Sequence, residues 1–381
     1  MPLVFDDIIR DRNGSRRYGE SQFGYLNLSN RIEAERVRNL IESWVVNYPE
    51  MHRRGLISRL KSKIDQVFFS AFFELTLHEL LLNNGNEIIE IEPTVASSRH
   101  QPDFLVRAQD GTCFYLEAVI SMNETPQDAA AESRLNDAIR AIDDVDSRFH
   151  FLDLEIEGRP SSPVTLRKLR NLLTSWVAAI PRNNEARNVP AFVYEEHGVK
   201  FTIVAILRNT PLNEVGRAIG IQSMEPYWGT PGDGIRESVA KKASRYGVLN
   251  APYIVAVNAM GEYQREEDAI DAMFGSPNVV IKTFKDGRVE AKDSRNGDGV
   301  WFGPRGVRRR QLSAILSTER LHPWSVGQRR ARLIRNPWAS FPFNSGSFGI
   351  DQRNPANGRL VELEGQSFAE IFGLPASWPE D

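Results

Sequence analysis

Residues 101–121 read QPDFLVRAQDGTCFYLEAVIS, and the fold turns on how this stretch doubles back. Two runs rich in β-branched and aromatic residues, Asp103–Ala108 and Thr112–Ser121, flank Gln109-Asp110-Gly111, which predicts a hairpin. A two-residue Asp110-Gly111 turn would pair Asp103 with Ala118 and send the acids Asp103 and Glu117 to opposite faces. A three-residue loop with Gly111 left-handed instead pairs Ala108 with Thr112, and therefore Asp103 with Glu117. Glycine in the third loop position favours that second form, so the spacing predicts two carboxylates side by side. Along the second strand Phe114, Leu116, Ala118 and Ile120 share one face, while Cys113, Tyr115, Glu117 and Val119 share the other. Glu117 is thus an acid in an otherwise apolar strand.

Upstream, residues 29–47 read as an amphipathic helix, with Asn30 and Glu33 at capping-box spacing and Pro49 ending it. A second helix is predicted from about Gly55 to Leu82. Its later part, VFFSAFFELTLHELLL, is apolar nearly all round, as a buried helix is. Steps of four give Ser70, Glu74 and His78 as one narrow polar stripe on it, and Asn83-Asn84-Gly85 closes it. A strand over Glu87–Val95 follows. Downstream come a polar helix at about Gln127–Asp146, a helix over Thr165–Ala179, and a hairpin, AFVYEEHGVKFTIVAIL, turning at His197-Gly198. The loop GTPGDG, with Asp233 as the cap, leads into the helix IRESVAKKASRYG. The strand PYIVAVNA reads as central and buried on both faces. Beyond Gly261 the pattern loosens into short strands, Arg clusters and Pro-Trp loops. The order predicts a mixed α/β sheet sandwiched by helices.

A chain of 381 residues with 41% hydrophobic and 25% charged residues can bury one large or two modest cores, which excludes a disordered or fibrous chain. The single Cys113 excludes a disulfide framework and a cysteine zinc site, and the six histidines never fall at zinc-ligand spacing. No apolar run is long enough to span a membrane, and the opening MPLVFDDIIRDR lacks a signal peptide's basic start, so a cytoplasmic protein is expected. The net charge of -3 advertises no global basic field. Locally the picture differs. Between Arg305 and Arg335 lie Arg305, Arg308, Arg309, Arg310, Arg320, Arg329, Arg330, Arg332 and Arg335 against the single acid Glu319, with Trp301, Phe302, Trp324 and Trp338 interleaved or adjacent. Cations among aromatics suit a phosphate backbone and unstacked bases, so this segment is the expected nucleic-acid surface. The competing reading has these arginines paired internally, with Glu124–Asp146 or Glu262–Asp271 docking on them.

Directly opposed carboxylates repel unless a cation lies between them, and all-oxygen ligation suits Mg²⁺ or Mn²⁺. In the order FFELTLHELL, PDFLV and FYLEAV, the chain resembles the PD-(D/E)XK, or restriction-endonuclease-like, nucleases. The resemblance covers roughly Lys61–Ala259, with Glu124 to Gly232 as an insertion, and its motifs are short and degenerate. A further likeness, to uncharacterised bacterial proteins with AFFEL, PDF, LEA and Lys-Ala-x-x-Tyr-Gly blocks, extends over most of the chain. What the resemblance implies is an αβββαβ core with a mixed sheet flanked by helices, preceded by N-terminal helices and followed by an irregular C-terminal region. The corresponding division is residues 1–54, a core over 55–260 with its insertion at about 124–232, and a basic C-terminal region over 261–381.

It also implies Mg²⁺-dependent phosphodiester hydrolysis of nucleic acid, DNA before RNA. Asp103, Glu117 and the Ala118 carbonyl would hold the metal, with Glu74 completing the shell directly or through water. Its lysine is missing: Val119 stands where the motif has Lys. Lys242 is the candidate replacement, because the apolar side of its helix runs Ile235, Val239, Lys242/Ala243, Tyr246 and turns Lys242 inward while Lys241 points away. Such a lysine would orient the attacking water. His78 is expected as a partner of Glu74. The alternative is a catalytically silent module that keeps the fold and binds nucleic acid or a protein.

Overall fold

The computed structural model describes residues 3–96, 98–122, 126–183, 186, 188–212, 217–224, 231–261, 264–346, 348–356 and 359–380. Glu124, Glu262 and the Gly229-Thr230 start of GTPGDG lie outside the described residues. The chain divides into two compact units: Met1–Asn13, Ser21–Asn123 and Thr230–Asp381 form the first, Gly14–Glu20 and Glu124–Gly229 the second.

The first unit opens with helices α1 (Gln22–Leu28), α2 (Ile32–Asn47), α3 (Glu50–Leu60) and α4 (Asp65–Asn83). The Asn30–Glu33 capping box does not form: the N-cap of α2 is Arg31, and Glu33 pairs with Arg31 at 3.3 Å. The helix expected from Gly55 to Leu82 is broken after Leu60, where the Ser62 hydroxyl accepts the Ile64 N–H at 3.0 Å, and restarts at Asp65. It ends as expected, with Gly85 left-handed at φ 66°. Strands β1 (Glu87–Ile91), β2 (Phe104–Arg107) and β3 (Cys113–Ser121) follow.

The second unit then supplies α5 (Pro126–Asp143), β4 (His150–Gly158), α6 (Leu166–Ala179), β5 (Phe192–Glu196), β6 (Val199–Leu207) and β7 (Ile219–Met224). Its sheet has the order β5-β6-β4-β7 around a core of its own. The β5–β6 turn sits at His197-Gly198, both left-handed, as their types predict.

The chain returns to the first unit with α7 (Pro231–Ala243), β8 (Tyr253–Ala259), α8 (Glu266–Phe274), the hairpin β9 (Pro277–Thr283) and β10 (Val289–Arg295), and the short pair β11 (Phe302–Gly303) and β12 (Gly306–Val307). It ends with β13 (Ala314–Glu319), β14 (Arg332–Arg335), β15 (Asp351–Ala356), β16 (Arg359–Leu363) and α9 (Phe368–Phe372). Helix α7 starts at Pro231, where the missing N–H costs nothing, so Asp233 sits in its first turn beside Arg236 rather than at its cap.

One eight-stranded sheet, ordered β1-β2-β3-β8-β13-β14-β15-β16, organises this unit. Pairs β3–β8, β8–β13 and β14–β15 are parallel and the others antiparallel, giving a mixed α/β protein with N-terminal helices. Strand β8 is buried along its whole length, as PYIVAVNA predicts. Its Ile254 and Ala256 share a core with Phe72 and Leu75 of α4, and Val255 and Val257 share another with Val239 of α7 and Ala272 of α8. The region beyond Gly261 is thus far less irregular than expected: half of the large sheet's strands come from it. Among the described residues, no helix is long and apolar enough to cross a membrane.

After β13, the His322 ring lies 6.4 Å from that of Phe69, and its Nδ1 is buried with no hydrogen-bond partner among the described residues. Burial, then the charges of Arg329 and Arg320, push its pKa down to about 4. The unfolded chain therefore binds a proton that the native state refuses, between about pH 6.5 and pH 4, and stability falls as pH drops through that window. Replacing His322 with Leu should remove a loss on the order of 1–3 kcal/mol. Urea midpoints at pH 7 and pH 4.5 read this directly, and an equal drop in both proteins would rule His322 out as its source.

Candidate functional site

The register of the opening hairpin sets the site. Phe104 pairs with Leu116, Leu105 with Tyr115, Val106 with Phe114 and Arg107 with Cys113. The Ala108 N–H donates to the Thr112 carbonyl at 2.8 Å, and Gly111 has φ 84°, so the three-residue loop is the one formed. One step further, this register sets Asp103 opposite Glu117. Hydrogen-bonded and non-hydrogen-bonded pairs alternate, and counting from Ala108–Thr112 makes Asp103–Glu117 non-hydrogen-bonded, the kind whose side chains come closest. Asp103 Oδ2 accepts the Ala118 N–H at 2.5 Å. The N–H and C=O of one strand residue point the same way, so the Ala118 carbonyl also faces the Asp103 side, past the end of β2.

Glu117 is buried, its side chain 2% exposed, and a cation from another element meets it. Lys242, in the last turn of α7, donates to Glu117 Oε1, as the inward reading of its helix face predicts. Its side chain is 19% exposed while Lys241 lies outside, so the head is in the site and the stem is half-covered. The helix expected to run through Tyr246-Gly247 ends at Ala243, and Tyr246, in the turn beyond it, donates to Glu117 Oε2 at 2.5 Å and lies 3.1 Å from the Gln101 carbonyl oxygen. Arg245 is 4.0 Å from Glu117 Oε1 and 3.2 Å from His100 Nδ1.

Burial, then the charges of Glu117 and Glu74, push the Asp103 carboxyl well above the usual carboxylate range, against the opposing pull of the Ala118 N–H and Lys242. Burial and the Glu117 charge push Tyr246 and Tyr253 up, so both phenols stay protonated and Tyr246 remains a donor.

Glu74 is near enough to act on Asp103 but is held elsewhere. Arg59 of α3 grips its carboxylate with two parallel bonds of 2.5 and 2.9 Å, and the Tyr48 hydroxyl adds a third at 2.7 Å. His78 pairs with Glu79, at 3.1 Å, and not with Glu74. Successive helix positions point different ways, so the four-residue stripe placed His78 near the right helix turn but named the wrong partner. Among the described residues, no three His, Cys, Asp or Glu side chains converge as a ready metal-ligand set. The close pair is Asp103 and Glu117, with Lys242 and Tyr246 on the latter.

The arginine-rich segment is largely turned to internal use. Arg330 makes a two-bond pair with Asp351 at 2.8 and 2.7 Å, and Arg332 pairs with Glu319 and Glu266 at 2.9 Å. Arg335 donates to the Phe343 and Ser345 carbonyls, and Arg308 to that of Gly299. Arg309 and Arg329 are desolvated, which lowers both pKa values. Arg305 and Arg310 are exposed, Arg310 donating to the Trp338 carbonyl at 3.0 Å. Of the docking acids foreseen, Glu266 takes this role, against Arg332 and Arg353.

Compared with known proteins, the chain matches no family model, no curated protein and no solved structure.

Proposed function

We propose that this chain hydrolyses phosphodiester bonds in nucleic acid, DNA in the first place, through a divalent-metal site of the PD-(D/E)XK type on a restriction-endonuclease-like core. The observation that carries the reading is one constellation: Asp103 opposite Glu117, with the Lys242 ammonium on Glu117. Val119 leaves that cation absent from the strand itself, and α7 supplies it.

The donor set fits a hard cation. Asp103 and the Ala118 carbonyl offer oxygen only, side by side at the end of β2. Asp103, Glu117 and Ala118 would hold Mg²⁺ or Mn²⁺, which supplies Lewis acidity and a more acidic bound water. Lys242 donates toward charge developing on the phosphate and orients the water through Glu117. Tyr246 keeps the Glu117 carboxylate from rotating. Glu74, its oxygens already occupied by Arg59 and Tyr48, acts through its charge and through the position of α4.

Lys242→Met keeps the stem and deletes the head. It should lower Mg²⁺-dependent cleavage of supercoiled plasmid roughly 10²–10³-fold, with Lys242→Arg a poor rescue because the planar fork does not replace a compact ammonium. Full activity in Lys242→Met would take the lysine out of the mechanism. A second reading, a silent nucleic-acid-binding module, is favoured by one fact: both Glu117 oxygens are satisfied within the chain. It predicts salt-sensitive binding, no cleavage of DNA or RNA, and no Mn²⁺ uptake by calorimetry.

A further inference from the structure

The hairpin β9–β10 is built unlike every other part of the sheet system described above. Seven consecutive residue pairs, from Thr283–Val289 to Pro277–Arg295, are in unbroken antiparallel register, yet every residue of both strands is exposed. At about 3.4 Å per residue it projects some ~24 Å. A lone two-stranded ribbon is marginal in water, and this one carries its own means of staying closed. Val279, Ile281 and Thr283 share a face with Val289 and Ala291, so β-branched side chains pack across the pair. At the tip, the loop Lys285-Asp286-Gly287 repeats the geometry of Gln109-Asp110-Gly111. Phe284 N–H donates to the Arg288 carbonyl at 2.8 Å, the Asp286 side chain accepts the Arg288 N–H at 3.0 Å, and Gly287 has φ 84°.

Charge is concentrated on the other face and the tip. Lys282 and Lys292 are diagonal neighbours on the face opposite Val279, Ile281 and Val289, where Lys282 pairs with Glu290 and Lys292 with Val280. Lys285 stands on the tip, beside an Arg288 guanidinium held 4.3 Å above the Phe284 ring. Residues 277–295 hold five cations (Lys282, Lys285, Arg288, Lys292, Arg295) against Asp286, Glu290 and Asp293. Asp286 is engaged in the turn, Glu290 lies 3.5 Å from Arg288, and Arg295 is tied to Asp271 at the root.

A stiff, cationic two-stranded ribbon matches a nucleic-acid duplex, whose major groove admits this element and whose rims carry phosphate. We propose that β9–β10 is a docking ribbon for double-stranded nucleic acid, placing Lys282, Lys285 and Lys292 on its phosphates. The class of partner rests on the nuclease reading above.

The test measures binding of a short fluorescent duplex across about 50–200 mM salt, in an Asp103→Asn background that prevents cutting. Adding Lys282→Ala, Lys285→Ala and Lys292→Ala should flatten the log–log salt slope by about 2–3 and weaken binding at least roughly tenfold. All three lysines are exposed, so circular dichroism and the melting temperature should not move. An unchanged slope overturns the proposal. So does a concentration-dependent dimer that Val279→Glu with Ile281→Glu dissolves while the lysine variant binds normally, because a second copy then occupies the ribbon. The two readings separate cleanly. With Asp103 intact, Mg²⁺-dependent cleavage of the same duplex is followed beside binding: cleavage with the salt slope unchanged by the three lysine substitutions removes the ribbon and keeps the nuclease, whereas binding lost with those lysines in a protein that never cleaves does the reverse.

Discussion

Replacing Asp103 with Asn is expected to abolish cleavage and raise the melting temperature in the same protein. Asn keeps an oxygen for the Ala118 N–H, so the local backbone has no reason to shift. What disappears is a carboxylate that burial and the charges of Glu117 and Glu74 already disfavour. Removing that repulsion should stabilise the metal-free protein by about 1–2 kcal/mol, or roughly 2–4 °C per kcal/mol for a chain of this size. On the proposed metal-site reading the same change deletes a hard anionic ligand, and loss of several kcal/mol of transition-state stabilisation corresponds to a rate loss on the order of 10³-fold. Opposite signs for stability and activity are what a functional, strained acid shows. A structural acid would give a lower melting temperature with cleavage intact, and calorimetry beside a plasmid assay tells the two apart.

Arg59→Ala should be the most destabilising single change near the site, at about 3 kcal/mol. The Glu74 side chain is only 8% exposed, and Arg59 supplies two of its three hydrogen bonds. Removing one partner of a buried pair leaves the other charged and dry, which costs more than the pair itself is worth. Arg59 is partly exposed, so water entering the gap lowers the cost below that of a fully interior pair. The double change Arg59→Met with Glu74→Leu should recover most of the loss. Urea unfolding of the two singles and the double measures the coupling; a double as unstable as Arg59→Ala would mean the pair is not held as a unit. Cleavage by folded Glu74→Gln then assigns the acid, since retention makes it structural and loss brings it into the reacting shell.

How much of this could be read from the sequence depended on the distance over which each cause acts. The Asp103–Glu117 pairing was legible because a three-residue turn fixes register locally, and one glycine chose the turn. The inward side of Lys242 was legible because helical periodicity alone decides it. The same turn rule applied to Lys285-Asp286-Gly287 would have exposed the β9–β10 ribbon, yet the sequence reading passed it over among the loosened pattern beyond Gly261. Arg59 was invisible for a different reason. In one continuous helix it would stand about 22 Å from Glu74, and only the break after Leu60 folds α3 back to bring them together. Tyr48 and Tyr246 were missed because a buried tyrosine looks apolar in a periodicity count, while its hydroxyl finds a carboxylate only in three dimensions. The arginine segment misled because local charge density says nothing about Asp351, Glu266 or Glu319 waiting on neighbouring elements.

The parallel contact of β3 with β8 has a consequence for how the protein is made. Glu117 and Lys242 are separated by 125 residues, so the acid leaves the ribosome long before its cation. At about 5–20 residues per second the interval is roughly 6–25 s. During that time β3 has an open edge and an uncompensated carboxylate pair, while the whole span from Glu124 to Gly229 emerges with a hydrophobic core of its own to collapse upon. The Glu117–Lys242 pair and the β3–β8 contact therefore close only after the chain has been synthesised past Ala259, and until then β3 must rely on β2 alone.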